Sequence, residues 1–268
     1  MTISLLVTCS AKGQVLHTLF SEAYNNAGAY GKGGPDAGSF TVNQAALSHV
    51  EHGSTAFYSE QKFLVKELRG GSAALAVRGA GGGIGIALGV MGSASSNSAE
   101  LGLAYGRALG KRISLGVQLD YHHVHTAGYG NSAATGFELG FIVHATDELF
   151  AGIQICNPVG GKFGRTEGDK LPAIYTVTFG YEPSENLILC VQTKKTENLP
   201  VDIRVALQYN FVRQFFACAG LAASSGNLFG GFGLQWKNFR VDLIGNYHLQ
   251  LGATPALQVT MQFQKGGP

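Results

Sequence analysis

The chain has 268 residues, with 19 Lys and Arg against 17 Asp and Glu, and a net charge of +2 is too small for a nucleic-acid surface. Charged residues are 13% of the total, against roughly 25% in soluble domains, and glycine reaches 39. No apolar run approaches the roughly 18 residues of a membrane helix, so a membrane could be crossed only by strands.

The first eleven residues, Met1 to Ala11, combine a short apolar stretch with a small-x-small site at Cys9-Ser10-Ala11. They read as the remnant of a secretory signal without its basic region. Thr8 before Cys9 makes a poor lipoprotein site. Residues 12–50 are expected to stand apart from the rest as a non-barrel segment folded into a lumen. Asn25-Asn26-Ala27-Gly28 and Gly31-Lys32-Gly33-Gly34-Pro35 are turn-forming and weakly periodic.

From residue 51 to the end the period is two. Val201, Ile203, Val205, Leu207, Tyr209 and Phe211 are apolar, while Asp202, Arg204, Ala206, Gln208 and Asn210 between them are small or polar. A strand turns successive side chains to opposite faces, so the segment has one apolar and one wet face. Fourteen stretches of this kind are predicted, near 54–60, 72–78, 83–90, 98–108, 112–124, 133–144, 148–156, 172–181, 186–194, 201–211, 213–222, 227–236, 239–251 and 255–264. Several exceed the five or six residues usual in soluble strands and match a tilted membrane strand. Links after even-numbered strands are short, and the odd-numbered ones mostly end in longer links at 61–71, 91–97, 125–132, 157–171 and 195–200. The fold expected is an all-β transmembrane antiparallel barrel of about fourteen strands. Its short turns and both barrel termini would face the periplasm of a bacterial outer membrane.

Aromatic placement points the same way. Tyr181, Phe211, Phe215, Trp236, Phe239 and Phe263 lie on the apolar phase at strand ends beside short turns, as in one lipid-interface girdle. Tyr121, Tyr175 and Tyr247 lie toward the other rim. The inward polar set is Asp120, Glu138, Asp202, Arg204, Arg240, Asp242 and His248, whose opposite charges would pair and fill the lumen.

The remaining motifs specify no chemistry. Gly79-Ala80-Gly81-Gly82-Gly83-Ile84-Gly85 fails as a nucleotide loop, because Leu88 stands where the third glycine belongs and no helix follows. It reads as a tight turn and a glycine-rich third strand, with Gly81, Gly82, Gly83 and Gly85 marking a possible lateral gap. His122-His123-Val124-His125 places two histidines on one strand face with no carboxylate or Cys at metal spacing, so no metal site is expected. Cys156, Cys190 and Cys218 fall on the inward phase as small fillers. No nucleophile with an oriented base is specified, so neither catalysis nor a cofactor is expected.

The order of segments resembles a known family. Asn43-Gln44-Ala45-Ala46-Leu47 and Ala56-Phe57-Tyr58 lead into hairpins such as Leu101–Gly110 running into Ile113–Tyr121. Cys156-Asn157-Pro158 and Leu171-Pro172 follow. Over residues 25–264 this is similar to the PorV/PorQ-like outer-membrane proteins, related in fold to the FadL fatty-acid transporters. One departure is Gln44, where the family usually has Pro. The resemblance implies an accessory role beside a type IX-like secretion translocon. The alternative is a FadL-like transporter of small hydrophobic molecules. The partners implied are outer-membrane lipid and either another outer-membrane protein or a hydrophobic ligand.

Overall fold

Uninterrupted alternation leaves the backbone one way to satisfy its polar groups, which is to pair each strand with the next. The computed structural model describes residues 20, 22–31, 35–161, 163, 170–212, 214–224 and 226–263; the expected signal remnant at 1–11 lies outside them. Its fourteen strands are β1 (Ser54–Gln61), β2 (Arg69–Gly79), β3 (Gly82–Gly92), β4 (Ser96–Ala108), β5 (Ile113–Thr126), β6 (Gly130–His144), β7 (Leu149–Cys156), β8 (Ile174–Ser184), β9 (Leu187–Thr196), β10 (Val201–Val212), β11 (Phe215–Ala222), β12 (Asn227–Trp236), β13 (Phe239–His248) and β14 (Gly252–Gln262). Each pairs antiparallel with its sequence neighbours, and β1 closes on β14 from Ser54↔Gln262 to Glu60↔Ala256. A closed sheet has no unpaired edge to expose to hydrocarbon.

Burial decides which way the barrel faces. On β5, Leu115, Val117, Leu119 and Tyr121 point out, with Leu119 64% exposed, while Gln118 is 1% exposed on the inner face. Apolar outside and polar inside inverts a soluble β-sandwich and matches a lipid-facing wall. β1 begins and β14 ends at one rim, together with the two-residue turn Ala80-Gly81 between β2 and β3 and the other short turns.

Two expectations need correction. The links expected at 91–97, 125–132 and 195–200 contract to 93–95, 127–129 and 197–200, because β4 and β6 begin at Ser96 and Gly130 and β9 runs to Thr196. Ser96, Asn97, Asn131 and Ser132 break the apolar period, yet backbone pairing there needs no apolar side chain. The longer links that remain are 62–68 and 157–173. Asn25–Gly28, expected to turn, lies within a helix, α1 (Glu22–Tyr30). A nine-residue helix is marginal alone. Here Tyr24, Ala27 and Tyr30 are buried inside the barrel, and tertiary packing overrides the turn propensity.

Orientation can be tested on β13. Leu243 points outward and is 62% exposed, whereas Asn246 is on the inner face. Leu243→Arg is expected to cost about 2–4 kcal/mol in the lipid and to abolish the heat-modifiable folded band in membranes, while Asn246→Arg keeps it. Equal loss from both would refute the assigned orientation.

Candidate functional site in the barrel lumen

The lumen is crossed by residues 35–50 and α1, which act as a plug. Two 3-10 turns, Ser39–Thr41 and Gln44–His49, carry it across the inner faces of β3 to β6. Asn43 caps the second turn, its Oδ1 accepting from Ala45 N at 3.0 Å. Its Nδ2 donates to the carbonyl oxygens of Phe141 (3.4 Å) and Ile153 (3.2 Å) and to Tyr30 Oη (3.3 Å). Gln44, the residue that departs from the family pattern, donates from Nε2 to Glu138, which also accepts from Gln154 at 3.2 Å.

Glycines let the plug approach this closely. A Cβ on Gly83 would lie 2.1 Å from Leu47 O, and on Gly116 2.2 Å from Gln44 C. On Gly140 it would lie 2.4 Å from Asn43 Oδ1, and on Gly152 2.3 Å from the Tyr30 ring. Gly83, Gly116 and Gly140 of β3, β5 and β6 form a ledge in one register row, joined through Gly106 of β4, and Gly152 of β7 lies two residues off that row, opposite Ile142.

The other end of the plug is held by charge. Arg240 on β13 meets Asp36 of the plug at 2.7 Å and Asp242 of its own strand at 2.9 Å. Its guanidinium also lies over the Phe216 ring at 5.7 Å. Burial, reinforced by Asp242, raises the Tyr24 phenol above its usual range and keeps it neutral.

At the short-turn rim the plug end meets two histidines. His49 Nε2 lies 3.0 Å from Ser114 Oγ, which also accepts from Ser48 Oγ at 2.8 Å. His144 Nε2 donates to Tyr30 O at 3.3 Å, and the two imidazoles stand edge to face at 5.7 Å. Burial, then His144, lowers the His49 pKa from its ordinary 6.5. These histidines border an opening of about 770 Å³ that Arg78 and Arg112 also line. A second opening of about 460 Å³, beside Tyr24, Asp36, Phe216 and Arg240, lies on the other flank. Above the plug, the space among Tyr58, Glu60, Glu100 and His122 is about 30 Å³, enough for water and not for an aromatic ring.

The sequence-predicted residues are distributed as follows. Asp120, Glu138 and Asp242 are buried on the inner face, and Asp202, Arg204, Arg240 and His248 are half-buried there. Asp202 pairs with Arg204 at 2.9 Å, and Asp120 accepts from Gln118 at 2.6 Å. His248 Nδ1 accepts from Gln250 N and Leu251 N, so it closes the turn after β13. Tyr181, Phe211, Trp236 and Phe239 are exposed, and Phe215 and Phe263 half-exposed, all at short-turn strand ends. Gly81 makes the β2–β3 turn at φ +75°. Gly82, Gly83 and Gly85 sit in ladders that run without a register shift, and the last two adjoin Leu47 and Phe40 of the plug. His122 turns inward to Glu100 at 3.5 Å, while His125 pairs with Asn131 at 2.6 Å. Among the described residues no His/Cys/Asp/Glu group is arranged to hold a metal. The sequence does not single out Asp36 or Tyr30; Asn43 stands in it only within the segment that carries the family resemblance, and of the ledge only Gly83 is named. Gly116, Gly140 and Gly152 fall on the inward phase of their strands, but nothing local marks them, because the partner of each lies far away in the chain.

No protein-family model matches the chain, and neither does any curated protein. Solved structures do match. The CymD monoaromatic hydrocarbon channel aligns with a TM-score of 0.62 at 13% identity, over 86% of this chain and 94% of its own. The toluene transporter TbuX of Ralstonia pickettii gives 0.61 at 11%, over 91% and 98%. A FadL homologue of Pseudomonas aeruginosa gives 0.61 at 11%, over 85% and 94%. The fold is FadL-like. At these identities the likeness establishes the architecture alone, and none of these three structures is described as a PorV/PorQ protein.

Three variants test the plug contacts. Gly116→Val should unseat the segment at a cost of about 1–3 kcal/mol and raise ion conductance in planar bilayers. Gly245→Ala, where a Cβ meets nothing within 4 Å, should leave conductance unchanged. Arg240→Leu leaves Asp36 and Asp242 without their shared partner, a loss of about 3–5 kcal/mol, and should expose the plug to protease while the barrel stays folded.

The His49 contact has a pH sign. Its pKa in the docked state lies below the free value, so docking is fully favoured above 6.5 and weakens as pH falls through 6.5 and below. Brief open events should therefore become more frequent on acidification, modestly because the ring is partly open to solvent, and His49→Gln should remove that dependence.

Proposed function

We propose that this protein is a non-enzymatic outer-membrane channel that carries small hydrophobic molecules inward, with its short turns and both barrel termini in the periplasm. The observation that carries this reading is a closed fourteen-stranded barrel with an inserted N-terminal plug, whose fold aligns over 86% and 91% of the chain with a monoaromatic hydrocarbon channel and a toluene transporter. The ring of aromatics at the short-turn rim supports the membrane placement, since such side chains favour the interface. A water-sized upper void implies that carriage requires movement of plug or strand ends.

The accessory role beside a secretion translocon, expected from the PorV/PorQ resemblance, finds no support in the structural likenesses. Those likenesses are to a monoaromatic hydrocarbon channel and a toluene transporter.

Uptake of radiolabelled toluene by Gram-negative cells displaying the protein checks this. Faster uptake than in cells with an empty vector, with sucrose unchanged, is the expected result. Equal uptake despite a folded surface-displayed barrel would refute it. Co-purification of a stoichiometric large translocon with no toluene effect would restore the secretion reading.

A further inference from the structure

We infer that the basic opening at the short-turn rim is a docking site for an acidic polypeptide segment of another protein. The plug divides this rim into two openings of opposite sign. The larger, of about 770 Å³, is lined by Arg78, Lys111 and Arg112 against Glu51 and Asp147. The smaller, of about 460 Å³, carries Asp36, Glu182 and Glu185 against Arg240, whose charge is met by Asp36 and Asp242. An anionic segment arriving from the aqueous side is drawn to one flank of the plug and repelled from the other.

The fold places each cation of the larger opening. Arg78 follows Ala74 and Ala76 on the inner face of β2, so it points into the opening and away from lipid. Lys111 and Arg112 lie in the turn between β4 and β5. Arg112 Nη1 donates to Ala145 O at 2.8 Å, which braces the guanidinium against the next hairpin. All three side chains are exposed, and among the described residues neither Arg78 nor Lys111 has an ion-pair partner. Lys237, in another short turn, is flanked by the exposed aromatics Trp236 and Phe239 and lies outside the opening.

A second observation marks the same place. Ser54 opens β1 in the wall of this opening and is 1% exposed, yet its Oγ makes no hydrogen bond among the described residues. Ser54 pairs with Ala76, so Arg78 is the next inner-face side chain on the neighbouring strand. A buried hydroxyl is rarely left unpaired. Beside a guanidinium it suits a carboxylate, which accepts from both groups.

Spacing selects a chain over a single ion. Arg112 adjoins β5, three strands from β2, so at about 4.8 Å per strand it stands roughly 14 Å from Arg78 along the rim. One carboxylate or phosphate cannot serve both ends of that row. Alternate side chains of an extended peptide repeat about every 6.8 Å on one face. Acidic residues at three alternate positions therefore span the row from Arg78 to Arg112. A lipid headgroup in the surrounding leaflet does not reach Arg78 or Ser54, which lie inside the ring of strands. On the orientation proposed above the partner is a periplasmic protein; the inference rests on that reading for the compartment alone.

Anisotropy of a rhodamine-labelled peptide, Glu-Ser-Glu-Ser-Glu-Ser, titrated with the full-length barrel in detergent tests this. Wild type should bind it, with an affinity that falls as salt is raised. Arg78→Glu combined with Arg112→Glu should bind at least tenfold more weakly, and Lys237→Glu as wild type does. Ser54→Ala should weaken binding roughly threefold and leave the salt dependence unchanged. All variants should keep the heat-modifiable folded band. No binding by wild type, or equal binding by the double variant, would overturn the inference. Free glutamate binding as tightly as the peptide would also overturn it, because the opening would then hold a single anion. The assay reads no transport, so loss of peptide binding leaves the transport reading standing, and failed toluene uptake leaves this inference standing.

Discussion

Hydrocarbon offers no hydrogen bonds, and that single fact organises this molecule. Each amide at membrane depth must be paired within the wall, so the strands must close on one another. Closure turns half of all strand residues to lipid and half to a lumen. The outward half can then be uniformly apolar, as Leu115, Val117 and Leu119 are, and the inward half must solve a packing problem with little apolar material. The plug is that solution. It brings Phe40, Leu47 and Tyr30 into the centre, where they are almost wholly buried, and it supplies polar partners to the wall at the same time.

The plug is held differently at its two ends. Over β3 to β7 it is held by shape, with glycine removing the side chains that would keep backbones apart. Over β13 it is held by an ion pair, Asp36 with Arg240, next to a carboxylate that is itself buried. Shape contacts are lost all at once when the backbones separate, because dispersion falls steeply with distance. A buried charge that loses its partner strongly favours finding it again. Release of the plug is therefore easier to begin at the rim, where His49 and His144 meet solvent, than in the middle.

Much of the wall was legible in sequence and much of its interior was not. Alternation identified all fourteen strands, since lipid imposes a period of two on outward residues whatever their neighbours are. It lost strand ends such as Ser96–Asn97 and Gly130–Ser132, which rise beyond the part that must be apolar and are kept extended by pairing alone. The N-terminal helix was missed because Asn25, Asn26 and Gly28 favour turns locally and only the surrounding barrel makes them helical. The inward phase identified Arg240 and Asp242, but nothing local marks Asp36 as their partner, some two hundred residues earlier. The glycine-rich third strand shows the same limit. Its composition signals close approach, and only the fold reveals that the plug, at Leu47 and Phe40, is what approaches.

A proline in the middle of a strand usually argues against the strand, because the ladder loses a donor. Pro255 is compatible with β14 for a geometric reason. Its nitrogen falls on the side where β1 has already begun to leave the sheet, so β13 keeps every bond it needs. The barrel thus confines its missing donor to the last part of one seam. The adjoining link, residues 62–68, meets that seam with two left-handed residues, Phe63 and Leu64, and Phe63 N donates there to Thr254 Oγ1. There, as beside the upper part of β6 where Phe163 and Leu171 pack on Ala134, side chains stand in for ladder bonds, and side chains can move without unfolding a strand.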